Sequence, residues 1–351
     1  MAHRYTAAIA LLGLAAAVPS GAAEFAALGL PGSQLAALSA DGCTAAGGIS
    51  GGEAGFRWSV GGGVQKLEAA ISVRALSASG RYAAGSSLDA ERREVASYWD
   101  ADGRLHRLGG APGVDAISVV SQAFGVTDAQ QVVGSVGNAA AAFAWTPADG
   151  LRLLDAGGAA AARAEGVSDD GTLVYGWSES ADGHRRGVRW SSGAARPLRG
   201  DDARDVREIA ASSRSAGVLL GLAEDARGGV SAYRWSADRG VVAPPPFEPA
   251  RFVRLLASSE DGRLVVGSAG QGDERRAIVW SAADGVQFLD RWLASRGVAV
   301  PPGWRLGAAT AISADGRRIG GWGLRDGRFD SFVLDLGADT GSATTGCATK
   351  R

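Results

Sequence analysis

Arginine recurs in pairs along this chain: Arg92 and Arg93 in "AERREV", Arg185 and Arg186 in "GHRRGV", Arg275 and Arg276 in "GDERRA". A guanidinium is a planar fork that grips a carboxylate through two parallel hydrogen bonds. A face that gathered these pairs would therefore hold a carboxylate-bearing glycan or a partner protein. Trp177 in "YGWSES" and Trp322 in "GGWGLR" extend the candidate ligand-binding set, because an exposed indole stacks on a sugar or anchors an interface. The plainer alternatives are a solvated, salt-bridged rim for the arginines and internal packing for the indoles.

Other chemistry finds less support. Beyond the N-terminal leader the chain has two histidines, His106 and His184, far apart and without spaced partners, so no metal site is expected. "SDDGTL" offers Asp169 and Asp170 before Gly171, too few oxygens for a calcium loop. Asp-Gly is instead favoured in hairpins, where both turn positions take positive φ. The one G-x-S-x-G match, "GISGG" at 48–52, falls between two strand-like runs, whereas a hydrolase elbow joins a strand to a helix. Asp201 and Asp202 are adjacent acids that the sequence cannot place in a cleft. No cofactor is implied and no catalytic residue is assigned.

The elements that must position these residues come from a repeat. Trp58, Trp99, Trp145, Trp190, Trp235 and Trp280 end the segments "GFRW", "SYW", "AFAW", "GVRW", "AYRW" and "AIVW", at spacings of 41, 46, 45, 45 and 45 residues, and "SFVL" ends a seventh copy at Leu334. Each copy carries a glycine beyond a turn of the type "SADG": Gly47, Gly85, Gly134, Gly176, Gly221, Gly267 and Gly321. Within a copy lie four strand-like runs, for example 104–108, 116–121, 130–135 and 141–146, separated by turn residues. Four antiparallel strands at a period of roughly 40 to 45 residues mark a propeller blade. The expected fold is all-β, a seven-bladed β-propeller over 24–337.

The chain enters on "FAALGLPG" and leaves on "DSFVLDLG", so the N-terminal strand should complete the seventh blade. That closure would bring Cys43, in the first copy, near Cys347, in the tail 338–351, where a disulfide is possible in an exported protein. Residues 1–23 read as a secretory signal: Arg4, then an apolar run from Ala7 to Val18, then small residues. Without that leader, 35 basic residues face 37 acidic ones, so no nucleic-acid partner is expected. No later run is long enough to span a membrane, and a monomer is expected. The loops after each blade glycine would share one face, collecting the arginine pairs together with Arg227, Arg325 and Arg328.

The order of "SADG", an apolar strand ending in Gly, "AFRW", and an apolar pair such as "LLD" or "LGG" resembles the HAF-type extracellular repeat proteins of bacteria, over nearly the whole chain after the leader. The helix-like "FLDRWLASRG" before the last copy is similar to the stretch that precedes the last repeat in those proteins. The resemblance departs at the histidine that names the repeat, replaced here by Gly, Ser or Ala. It implies export and the repeat fold. The resulting expectation is an exported binding or interaction module for a protein or glycan, placed in the periplasm or outside the cell. A propeller enzyme acting on an extracellular carbohydrate, and a ligand-free structural surface protein, are the alternatives.

Overall fold

The computed structural model describes residues 23–50, 54–109, 120–137, 140–191, 194–199, 205–248, 250, 252–337 and 347. These form seven four-stranded antiparallel sheets arranged as the blades of a ring. The innermost strands are Ser33–Leu38, Ala70–Leu76, Ser121–Val126, Ala161–Val167, Asp205–Ser212, Val253–Ser258 and Trp304–Ile312. Blade three departs from the sequence expectation: its inner strand is Ser121–Val126, beyond the run read at 116–121, of which 116–119 lie outside the described residues. The signal-like segment and the pair Asp201 and Asp202 lie outside the described residues.

Closure follows the expected plan. The strand Glu24–Ala27 pairs antiparallel with Arg328–Asp335 and completes blade seven. Cys43 and Cys347 are joined by a disulfide with Cα atoms 5.6 Å apart, spanning 304 residues. Arg318 of blade seven adds to the seam, donating to Asp41 O at 2.8 Å and pairing with Asp335 at 2.9 Å.

The "SADG" stretch is the hairpin between the first and second strands of a blade. Ser39 Oγ donates to Asp41 Oδ1 (2.6 Å) and accepts from the Thr44 N–H (2.9 Å), while Asp41 Oδ1 also accepts from the Cys43 N–H (2.9 Å). The same bonds recur around Ser168, Ser259 and Ser313. Only the glycine takes positive φ, 67–76° in five blades, so the aspartate serves as an acceptor and not as a second left-handed position. The altered copies keep the backbone shape with Gln130 (φ 61°) and Ala216 (φ 57°) in the glycine's place. That side-chain carboxylate is consumed by the turn, and among the described residues no group of acids, His or Cys could hold a metal ion.

In three blades the residue before the tryptophan is an arginine that reaches the next blade: Arg57, Arg189, which lies over the Trp235 ring, and Arg234. Arg57 donates to Arg81 O (3.0 Å), Asp100 O (2.8 Å) and Ala101 O (3.0 Å) of blade two. Arg234 donates to Gly262 O (2.7 Å) and lies over the Trp280 ring of blade six. The tryptophans are structural: Trp99 and Trp190 are buried, and their indole N–H groups donate to Glu68 O and Asp155 O. The helix Leu289–Ala294 buries Leu289, Trp292 and Leu293 against Leu306 and Phe332, as the helical spacing of those residues implied.

Candidate functional site: a cup on the propeller axis

Every inner strand carries a β-bulge, a single extra residue that breaks the pairing register and turns its side chain away from the sheet. The bulges at the channel waist place Ala36, Arg74, Phe124, Glu165, Ala210, Leu256 and Thr310, one per blade, and the inner strands of blades two, five and seven carry a second bulge at Ile71, Arg207 and Gly307. All seven line the axial channel, forming a waist between a lobe of about 200 Å³ and a wider one of about 520 Å³.

The bulge also explains the repeat's glycine. A Cβ on Gly47 would collide with the Gln34 carbonyl oxygen and approach Leu35 Cα to 2.8 Å, and each of the other six glycines meets the equivalent carbonyl of its own blade. The bulged strand lays that carbonyl directly on the neighbouring strand, where only a residue without a side chain fits. The glycine that counts blades in the sequence is thus the backing of the channel ring.

The channel is crossed by a side chain at one end. Arg214, in the first hairpin turn of blade five, reaches across the axis to donate to Leu38 O of blade one and to Leu76 O of blade two at 3.2 Å, and pairs with Asp169 at 3.3 Å. Blades one and two lie on the opposite side of the ring from blade five, so this guanidinium bars the smaller lobe. Burial pushes the Asp169 carboxyl above the usual carboxylate range, with Arg214 pulling the other way. The wider lobe opens on the opposite face, where the second and third strands of each blade connect and where the chain passes between blades.

Two sectors differ around the ring. On blades five, six, seven and one the wall is Ala210, Leu256, Thr310 and Ala36; Thr310 spends its hydroxyl on Leu35 O at 2.7 Å. Blades two to four carry Arg74, Phe124 and Glu165. Arg74 is exposed to the channel and has no hydrogen bond or ion pair among the described residues. Phe124 is covered by Arg163, whose guanidinium carbon sits 3.8 Å from the ring centroid. Glu165 Oε1 accepts from the Trp177 indole N–H at 3.0 Å. Arg163 Nε lies 3.1 Å from the same oxygen but off the N–H direction, so that contact is an ion pair with no hydrogen bond along it. Burial raises the Glu165 carboxyl above its ordinary range against the pull of Arg163 and Trp177, and burial also lowers the Arg163 guanidinium.

The residues expected from sequence fall into two groups. Trp177, Arg185, Arg275 and Trp322 adjoin the cup. Trp177 is 7% exposed, so its indole is not the open platform that sugar stacking would need; it holds Glu165 and lies beneath Arg185 at 3.9 Å. Arg185 also pairs with Glu179 at 3.1 Å and with Glu208 at 3.9 Å. Trp322 is half-buried at the mouth, with Phe329 edge-on to it and Arg275 5.9 Å away. The remaining residues sit apart from the cup. Arg93 pairs with Asp89 and Glu91 in its own turn, beside Arg92, which takes a φ of 60°. Arg276 pairs with Asp290 and lies over Phe288, and Arg186 is exposed on the other face of its strand from Arg185. Residues of "GISGG" beyond Ser50 lie outside the described set.

Arg74, Phe124, Arg163, Glu165 and Arg214 were not singled out from sequence. A signal for the ring exists: the bulge residue precedes the blade glycine by eleven positions, as Ala36 precedes Gly47, and by ten in blade three. That column varies while its neighbours stay small and apolar.

No family model matches the chain, and no curated protein matches it. Among solved structures, an oligogalacturonate lyase in complex with manganese superposes with a TM-score of 0.57 at 12% identity, over 91% of this chain and 94% of that one. The β-propeller domain of the Trilobed protease from Pyrococcus furiosus, which has an open velcro topology, gives 0.51 at 8% identity over 86% and 93%. TolB from Acinetobacter baumannii gives 0.46 at 11% identity over 72% of this chain, which spans 62% of that protein. The first two likenesses are of fold, and they place this chain among the β-propellers.

Proposed function

We propose that this chain is an exported β-propeller of the HAF-type extracellular repeat kind that binds a protein or glycan ligand, and that the ligand enters the axial cup from its open face. The observation that carries the reading is Arg74: a channel-facing guanidinium with no partner among the described residues, in a cavity barred at its far end by Arg214. A guanidinium held in a concave site with no hydrogen bond or ion pair offers its fork to an anionic group of a ligand. Arg185, Arg275 and Trp322 then frame the mouth. Arg186, farther from the cup and exposed, acts on encounter more than on the strength of the complex, whereas Arg93 and Arg276 are already paired with acids.

Export is supported by the leader-like N-terminus and by the Cys43–Cys347 disulfide, a bond that persists in oxidising compartments. Sequencing the N-terminus of the mature protein tests it; processing near residue 24 is expected. Binding is tested by glycan-array and pull-down capture with the wild type and Arg74→Ala. Capture of the same ligand at equal affinity by both would sink the cup as the site, and absence of any ligand would favour a purely structural protein.

Glu165 favours a second reading, an enzyme acting on an extracellular carbohydrate. A carboxyl whose burial raises its pKa in a cleft is suited to give up a proton as a general acid. Turnover of a polymer that is lost in Glu165→Gln would promote this reading.

A further inference from the structure

We infer that the unit received in the cup is an acidic sugar, a pyranoside carrying a carboxylate among hydroxyls, with its carboxylate on Arg74 and a ring hydroxyl on Glu165. This rests on the reading of the cup as a binding site and deepens it.

Arg74 makes no hydrogen bond or ion pair among the described residues; the nearest opposite charge that acts with it, Glu165 two blades away, already has Arg163 beside it. The polar sector therefore calls for one anion and repels a cation, which would face Arg74 and Arg163 together. A zwitterionic or basic ligand is disfavoured on this ground.

Glu165 narrows the choice further. Its Oε1 is occupied by the Trp177 indole, while no partner among the described residues engages Oε2. A neutral hydroxyl suits that oxygen in either protonation state, because it donates to a carboxylate and accepts from a carboxylic acid. The carboxylate and the hydroxyl must be carried on one small rigid body, since Arg74 and Glu165 flank Phe124 on a single ring of side chains.

The remaining surface fits a sugar ring. Gln34 and Ser72 add polar groups at the mouth, where further hydroxyls would lie, and Trp322 offers a half-buried ring for the C–H face. Opposite, Ala36, Ala210 and Leu256 make a low apolar wall. A peptide C-terminus would satisfy Arg74 but would bring one backbone N–H where several donors are wanted.

The test is isothermal titration of the full chain with trisaccharides of galacturonate, glucuronate and mannuronate, their methyl esters, neutral hexose trisaccharides, and an acidic hexapeptide. At least one uronate should bind, with its methyl ester and the neutral sugars at least tenfold weaker. Arg74→Ala should lose at least tenfold and Arg74→Lys less, with circular dichroism confirming that both fold. Glu165→Gln should weaken binding severalfold. Binding of the peptide through Arg74 with no uronate bound overturns the ligand class and leaves the cup intact. Uronate affinity unchanged in Arg74→Ala overturns both, and absence of binding by every probe overturns the inference for acidic sugars.

Discussion

Gly47 and Gly48 are neighbours in one strand, and they should respond to alanine in opposite ways. At Gly47 the added methyl would sit against the Gln34 carbonyl, with Leu35 Cα at 2.8 Å and Gln34 C at 2.9 Å, all backbone atoms that cannot swing aside. At Gly48 nothing among the described residues lies within 4 Å. Relieving the Gly47 clash means shifting the bulged inner strand, and overpacking of this kind costs about 1–3 kcal/mol or somewhat more where backbone must move. With an unfolding entropy of about 2.1 cal/mol/K per residue, 3 kcal/mol corresponds to a Tm lowered by about 4 °C for a chain of this length. Gly48→Ala should hold Tm or raise it slightly, since alanine narrows the unfolded ensemble by about 0.4–1 kcal/mol. Differential scanning calorimetry on both variants decides it. Equal shifts, or a Gly47→Ala protein that melts with the wild type, would refute the account of the bulge and of the repeat's glycine.

Other outcomes follow from the closure, the plug and the buried phenols. Removing the disulfide by Cys43→Ser with Cys347→Ser should cost up to about 5 kcal/mol by the loop-entropy relation, read as a lowered denaturation midpoint that matches the reduced wild type. Arg214→Ala removes hydrogen bonds across the axis and leaves Asp169 without its cation, so a loss of about 2 kcal/mol is expected in denaturant melts. Burial pushes the Tyr175 hydroxyl from 10.0 up to about 12. The unfolded chain therefore ionises first, and stability present below pH 10 is lost as pH rises through 12. Tyr175→Phe should remove that part of the alkaline loss.

The architecture was readable because a propeller repeats its punctuation. Tryptophan spacing, the serine–aspartate turn and the glycine each mark a position that backbone geometry constrains, so blade number and the closing strand could be counted from residue types alone. The cup was not readable in the same way. Its side chains sit on bulges, and a bulge inserts one residue without changing the composition of the strand, so Arg74 and Glu165 looked like interruptions in the small, apolar runs "AISVRAL" and "AARAEGV". Trp177 and Trp322 hold the same place in their repeats but differ in exposure. Trp177 follows the blade glycine and so lies beside the bulge, where it is buried by Arg185 and bonded to Glu165, but sequence position alone reads equally well as surface. The arginine pairs follow the blade glycines, but Asp89 and Glu91 pair with Arg93 and Asp290 pairs with Arg276.

The central claim, that ligand is held by the cup and not by the arginine rim, is tested most directly by comparing Arg74→Ala with Arg93→Ala in the same titration against a binding uronate trisaccharide. Loss of at least tenfold in affinity for Arg74→Ala, with less than about threefold change for Arg93→Ala, is the expected result. The reverse pattern would contradict the account and return the site to the rim.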